Sequence, residues 1–374
     1  MTERQRFLET LTFGRPDRIP FAPGGPREST LAAWRRQGLP EGADWQDVLY
    51  EALGIERPPP VNAVRPEVNH RMIPEFDEKV IERRQRTLVV QDWKGNVCEI
   101  SDQFDTRHLR EAIDFVTRTW IKCPVETRDD WADMKRRYDP DAPERFAPDF
   151  ADQCATIRER DHVLVYGFHG PFWQLREWCG FEGLCMLFLD DPDFVAEMVD
   201  FWAEYVSAIM AKILRHVTPD VIHLSEDMAY KEKSMISPAM VRQFLLPCWK
   251  RWCDQAQAAG VPIIDMDSDG FVGELIPLWI EAGINVCDPI EVAAGNDLGQ
   301  FRRQFGRRMA YKQGVDKRAI AKGGQVIRDE LDRLAPIVRD GGFIPGCYHG
   351  VPFDISWPNF VDYSRLLARL TGWL

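Results

Sequence analysis

From about residue 155 onward, short apolar runs alternate with amphipathic helical stretches. No other feature constrains the fold of this 374-residue chain so tightly. HVLVYGF (162–168) reads as a strand and is followed by the helix-like FWQLREWCGFEGLCMLF. A second helical segment begins at Pro192 and carries apolar residues near i, i+3, i+4 and i+7. DVIHLS (220–225) is the next strand, and Ser237-Pro238 opens the helix AMVRQFLLPCWKRWCDQAQAAG, which Gly260 stops. VPIIDMDS, GELIPLWIEAG, INVCDPI, LGQFRRQFG, RMAYKQG and GGFIPGC continue the pattern. Strands spaced by helices in this way predict a parallel sheet with right-handed crossovers, either closed as a barrel or open and doubly wound. No G-x-G-x-x-G follows any strand, which argues against dinucleotide binding.

The first 150 residues are less regular and proline-rich, as in RPPPVNAVRP (57–66), and are expected to form an N-terminal extension, long loops and the first strands. Residues 155–374 supply the remaining units. The whole of 1–374 is expected to be one domain, because barrels with insertions reach this length. A formal net charge of −12 argues against nucleic acid as the main partner. It leaves room for a local basic pocket. The amphipathic start MTERQRFLETLTFGRPDRIPF has no apolar signal core, and no run approaches membrane-spanning length. A cytoplasmic setting is therefore expected, with the nine cysteines as reduced thiols.

In a parallel barrel the chemistry sits on the loops that follow the strands, so polar residues just after each apolar run are the candidates. These are His169 after Phe168, Glu226 and Asp227, Asp267 and Asp269, Glu291, Asp316 and Lys317, and His349. Asp267-Ser268-Asp269-Gly270 is the most informative element. Carboxylates two apart in an extended segment point to one side, and Gly270 tolerates unusual φ. Their repulsion needs a cation, a basic side chain or a shared proton. One solution is a metal held by Asp267, Asp269 and His349 with a position left open. The alternative is that the aspartates cap the next helix. Glu226-Asp227 either binds substrate or caps a helix, and His223 reads as a satisfied interior histidine. Cys347 is expected to be a buried thiol. Most of the 13 tryptophans lie on helix faces and suit core packing, with Trp93 and Trp34 set apart as pocket walls. Arg27 is placed either to meet a substrate carboxylate or on the surface.

RFLETLTFGRPDRIPF, SMISPAMVRQFLLPCWKRW, ELIPLWIEAGINVCDPIE and GGFIPGCYHGVPFDISWPNF occur in order along nearly the whole chain. Together they resemble the uroporphyrinogen decarboxylase superfamily. The resemblance implies a (β/α)8 barrel with its site at the C-terminal mouth. One branch of that superfamily decarboxylates uroporphyrinogen without a cofactor, using an early arginine-rich block. The other contains zinc-dependent methyltransferases that exchange methyl groups with a corrinoid protein through a His-x-Cys pair and a later Cys. Here the early block FAPGGPRESTLAAWRRQG lacks the decarboxylase arginine pattern. Asp267-Ser268-Asp269-Gly270 stands where the methyltransferases carry His-x-Cys-Gly, and His349 stands where either the later Cys or the histidine of the decarboxylase branch's Gly-His-Gly falls.

The resemblance thus implies Asp267, Asp269 and His349 as metal and catalytic positions; Glu226, from its place at a strand end, is assigned a catalytic role as well. Asp227, His169, Arg27, Trp93 and Lys317 are assigned to substrate. It also implies Zn²⁺ as the metal and cobalamin brought by a partner corrinoid protein, for demethylation of a methoxylated or methylated compound. The runner-up is a cofactor-independent decarboxylase or lyase acting on a carboxylated molecule or tetrapyrrole; a binding protein without chemistry is the third reading. Family barrels are often dimers, so a homodimer is expected.

Overall fold

The computed structural model describes residues 1–111 and 116–374. Two sheets organise it. An antiparallel meander runs β1 (Lys79–Arg83), β2 (Thr87–Gln91), β3 (Val97–Ser101) and β4 (Thr119–Lys122) in sequential order. The parallel sheet contains β5 (Val165–His169), β6 (Val221–Ser225), β7 (Ile263–Asp267), β8 (Val286–Asp288), β9 (Ala310–Lys312) and β10 (Phe343–Ile344), again with neighbours in chain order. Each parallel strand lies within or beside the apolar run that predicts it. The meander, by contrast, arises from the stretch that reads as loops and extension.

Extended segments occupy the positions beyond both ends of the parallel ladder. Pro26 bridges Val351 in parallel, and the Val351 amide donates to the Gly25 carbonyl at 2.8 Å. At the other end the Asn62 amide donates to the Val163 carbonyl at 2.8 Å, while the Asn62 side chain accepts from the Val165 amide at 2.7 Å. The eight positions make a (β/α)8 barrel, the fold expected from the sequence.

Alternation along the strands separates two apolar layers. Outward residues such as Ile222, Leu224, Ile264, Met266, Cys287 and Tyr311 pack under the helices. The lowest inward residues, Val163, Val221, Ile263, Val286, Ala310 and Ile344, meet Leu11 of the N-terminal helix Glu3–Leu11. That helix closes the lower end of the barrel. Each such buried side chain contributes roughly 1.5–3 kcal/mol relative to exposure.

Two local departures have physical causes. FWQLREWCGFEGLCMLF forms two helices, Pro171–Cys179 and Phe181–Asp190, because Gly180 adopts φ +72° between them. A Cβ at that position would lie 2.7 Å from the Cys123 sulfur. Before Pro247, which has no amide proton to donate, Val241–Leu245 widens into a π turn, and the α-helix resumes at Leu246–Ala258. Trp34 is fully buried and its indole donates to the Ile355 carbonyl at 2.8 Å, so it belongs to the core. Cys347 is buried as expected. Among the described residues no helix is long and apolar enough to cross a membrane.

Candidate active site at the barrel mouth

Above the apolar floor, the inward positions of four consecutive strands are polar: His223 and Ser225 on β6, Asp265 and Asp267 on β7, Asp288 on β8 and Lys312 on β9. Register places His223 beside Asp265, Ser225 beside Asp267, and Asp267 beside Asp288. The Lys312 ammonium lies 2.5 Å from Asp265 Oδ2 and 2.7 Å from Asp288 Oδ2. His223 Nδ1 contacts Asp265 Oδ1. Its Nε2 is 3.2 Å from the Ser225 hydroxyl and 3.7 Å from Asp267 Oδ2. Barrel interiors are ordinarily filled by branched apolar side chains, so a layer with this much charge needs a reason beyond packing.

The electrostatics follow from the geometry. Burial opposes charge on His223, but Asp265 and Asp267 outweigh it and push the imidazole up to about 10. Burial likewise opposes charge on Lys312, and Asp265 with Asp288 raises it above the ordinary lysine value. Burial would also raise the carboxyl of Asp265, yet Lys312 and His223 prevail and hold it well below the usual carboxylate range. Asp267 is raised, chiefly by burial, with His223 opposing. At neutral pH the floor of the mouth therefore holds two cations clamped by one buried carboxylate. Beside them sits an aspartate whose proton is retained more readily than usual.

A second cluster lies higher in the mouth. His349 Nε2 is 2.5 Å from Asp269 Oδ1 and 4.0 Å from Glu291 Oε2. Glu291 also accepts from the Gly270 amide at 2.8 Å, and Asn296 donates to the Gly270 carbonyl at 2.8 Å. Gly270 adopts φ +84°, and a side chain there would collide with the Ala229 backbone. His349 itself adopts φ +57°, with its amide donating to Gln313 Oε1 at 2.9 Å. The Lys317 ammonium lies 4.6 Å from the Tyr348 ring centre, and Tyr348 meets His349 edge to face. Arg27 packs against Gly350, where a Cβ would lie 2.9 Å from its Cγ.

The structure divides the expected metal ligands. Asp267 turns to His223, whereas Asp269 turns to His349. Among the described residues no group of three or more His, Cys, Asp or Glu is arranged to hold a metal ion. The donor set implied for zinc thus does not fit, because its two carboxylates serve different imidazoles.

Other expected site residues separate as well. Glu226 is fully buried and accepts from the Trp173 amide at 2.9 Å and the Trp249 indole at 2.6 Å. It braces the start of helix Pro171–Cys179 and does not reach the mouth. Burial pushes its carboxyl up to about 8, so the folded state favours the proton. Its contribution to stability is full below the unfolded value near 4.5 and is lost as pH rises through the folded one. Glu226→Gln cannot ionise, and it is expected to lose stability less steeply than the wild type between about pH 5 and pH 9 in urea melts. Equal slopes would show that Glu226 does not titrate with folding.

Asp227, at φ +43°, pairs with Arg176 at 3.2 Å, and burial raises its carboxyl. Asp316 caps helix Lys317–Lys322 by accepting from the Arg318 amide. His169 and Trp93 come together away from the floor, in a recess between the meander and helix Pro171–Cys179. Sequence reasoning passed over Asp265, Asp288 and Lys312 and dismissed His223. A usable signal was present: a charged residue at an inward position of four successive strands.

A parallel barrel with acid–base groups in its interior is a scaffold on which many enzyme families carry their chemistry. Residues 112–361 match the family Uroporphyrinogen decarboxylase (URO-D), and the chain belongs to this family of barrel enzymes. No curated protein sequence matches it. Its fold is similar to that of a methyltransferase from Methanosarcina mazei, covering 100% of this chain and 98% of that one at TM-score 0.51 and 14% identity. A B12-independent methionine synthase from a Shewanella species aligns over 95% of this chain and 97% of that one at 11% identity, but its TM-score of 0.43 carries no argument.

Proposed function

We propose that the chain is a cofactor-independent decarboxylase acting on a small carboxylated molecule at the barrel mouth. The observation that carries this reading is the clamped cation pair, His223 and Lys312, beside Asp267, whose carboxyl burial raises. In the proposed step the bond from carbon to the carboxylate breaks and carbon dioxide leaves. The electron pair remains on the carbon, and a proton from His223 Nε2 or the Asp267 carboxyl then closes the valence. The cations stabilise negative charge as it develops, in a site that requires no reorganisation to do so. Proton delivery by a positioned side chain contributes typically about 10²–10⁴-fold.

Methyl transfer from a methoxylated or methylated compound to a corrinoid protein is the second reading. The name of the barrel aligned along the whole chain favours it. It requires Asp267, Asp269 and His349 to regroup as zinc ligands. The two readings separate in one experiment, in which carboxylated substrates are screened for carbon dioxide release with chelator present and cobalamin absent. Release that persists under those conditions and disappears in Asp267→Asn is the expected result. Methyl transfer that depends on added zinc and cobalamin, without carbon dioxide, would overturn the decarboxylase reading.

A further inference from the structure

The recess that unites His169 with Trp93 encloses about 420 Å³. Its walls come from β5, from the start of helix Pro171–Cys179 and from the β2–β3 turn of the meander. Four cations face it, namely Arg71, Lys94, Arg110 and Arg118, although the chain as a whole is strongly acidic. Two of these are neutralised. Lys94 contacts Glu177, and Arg110 pairs with Glu75 at 2.8 Å and Glu78 at 2.9 Å. Among the described residues neither Arg71 nor Arg118 has a carboxylate within 4.0 Å. Arg71 lies 4.9 Å from the Trp93 ring centre and Arg118 lies 5.0 Å from that of Trp120.

The remaining walls are aromatic. His169 sits 5.4 Å from the Trp173 ring, centre to centre. Burial drives His169 down to about 4, so its ring is neutral and offers a flat, uncharged face. Trp173 Nε1 is buried without a hydrogen-bond partner among the described residues. A buried indole donor left unpaired is costly, and a ligand oxygen would satisfy it. Two guanidinium groups beside aromatic faces, with no carboxylate within 4.0 Å among the described residues, call for an anion on a flat ring, because the fork of Arg matches a carboxylate in two-point contact.

We propose that this recess binds a small aromatic carboxylate and anchors the substrate of the decarboxylase reading, on which the anchoring part of the inference rests. One wall of the recess stands on the strand next to the acid–base layer. His169 is the register partner of Ser225, whose hydroxyl contacts His223. A ligand gripped by Arg71 and Arg118 is thus held beside the strand pair β5 and β6, the second of which carries His223.

Titration calorimetry with benzoate on the full chain tests the proposal. Benzoate is expected to bind, with neutral benzamide weaker by about tenfold or more. The double variant Arg71→Ala, Arg118→Ala is expected to lose at least about tenfold in affinity while its thermal unfolding stays that of the wild type. Trp93→Leu serves as a second variant and is expected to weaken binding through the lost ring face alone. His223→Gln, on the floor, is expected to bind benzoate unchanged. Absence of benzoate binding, equal affinity for benzamide, or full affinity in a folded double variant would each overturn the recess proposal. Binding as expected together with no carbon dioxide from any acid would support the recess and refute the decarboxylase reading alone.

Discussion

Replacing Lys312 with methionine is expected to destabilise the folded chain by about 3–5 kcal/mol, the usual cost of removing one partner of a buried ion pair. The methionine side chain nearly matches lysine in length, so lost packing contributes little. The cost comes from the carboxylates left behind. Asp265 keeps His223, but Asp288 loses the ammonium 2.7 Å from its Oδ2, and its Oδ1 already has no partner among the described residues. Adding Asp288→Asn should recover part of the loss, since it removes the stranded charge. Urea unfolding of wild type, both single variants and the double variant measures the coupling. A Lys312→Met loss below about 1 kcal/mol, the range of an exposed pair, would show that the layer is open to water.

The second large effect concerns His223. His223→Gln is expected to lower turnover by about 10²–10⁴-fold, because glutamine can still donate to Asp265 but carries neither charge nor a transferable proton. The pH profile provides the sharper test. With His223 acting as its imidazolium, turnover should fall as pH rises toward about 10, and this alkaline limb should vanish in the variant. Stability follows the same sign. The folded pKa lies above the unfolded value near 6.5, so the contribution is full below about pH 6.5 and is lost as pH rises through the folded value. An alkaline limb that survives in His223→Gln would assign it to another group.

Strand periodicity located β5 to β10, and the strand-end rule located the mouth, because both depend on local alternation and chain order. The meander over residues 79–122 escaped notice. Its outer strands β1 and β4 are exposed throughout and show no two-residue apolar alternation. Asp267, Asp269 and His349 do stand at the mouth, but sequence order could not show that Asp267 would be drawn down to His223 and Asp269 across to His349. Glu226 lies beside Asp227 in the chain and looks equivalent to it. The peptide step between them turns one into the helix layer and the other toward Arg176.

The order of the parallel strands with their helices, the strand-end position of the mouth and the chain's membership in its family were determined by the sequence itself. These follow from periodicity and from which groups can leave water. The tertiary structure alone decided which charges became partners. His223, Asp265, Asp288 and Lys312 are separated by tens of residues, and only the parallel pairing of β6 to β9 brings them within a few ångströms. There, exclusion of water makes each one's protonation depend on the others.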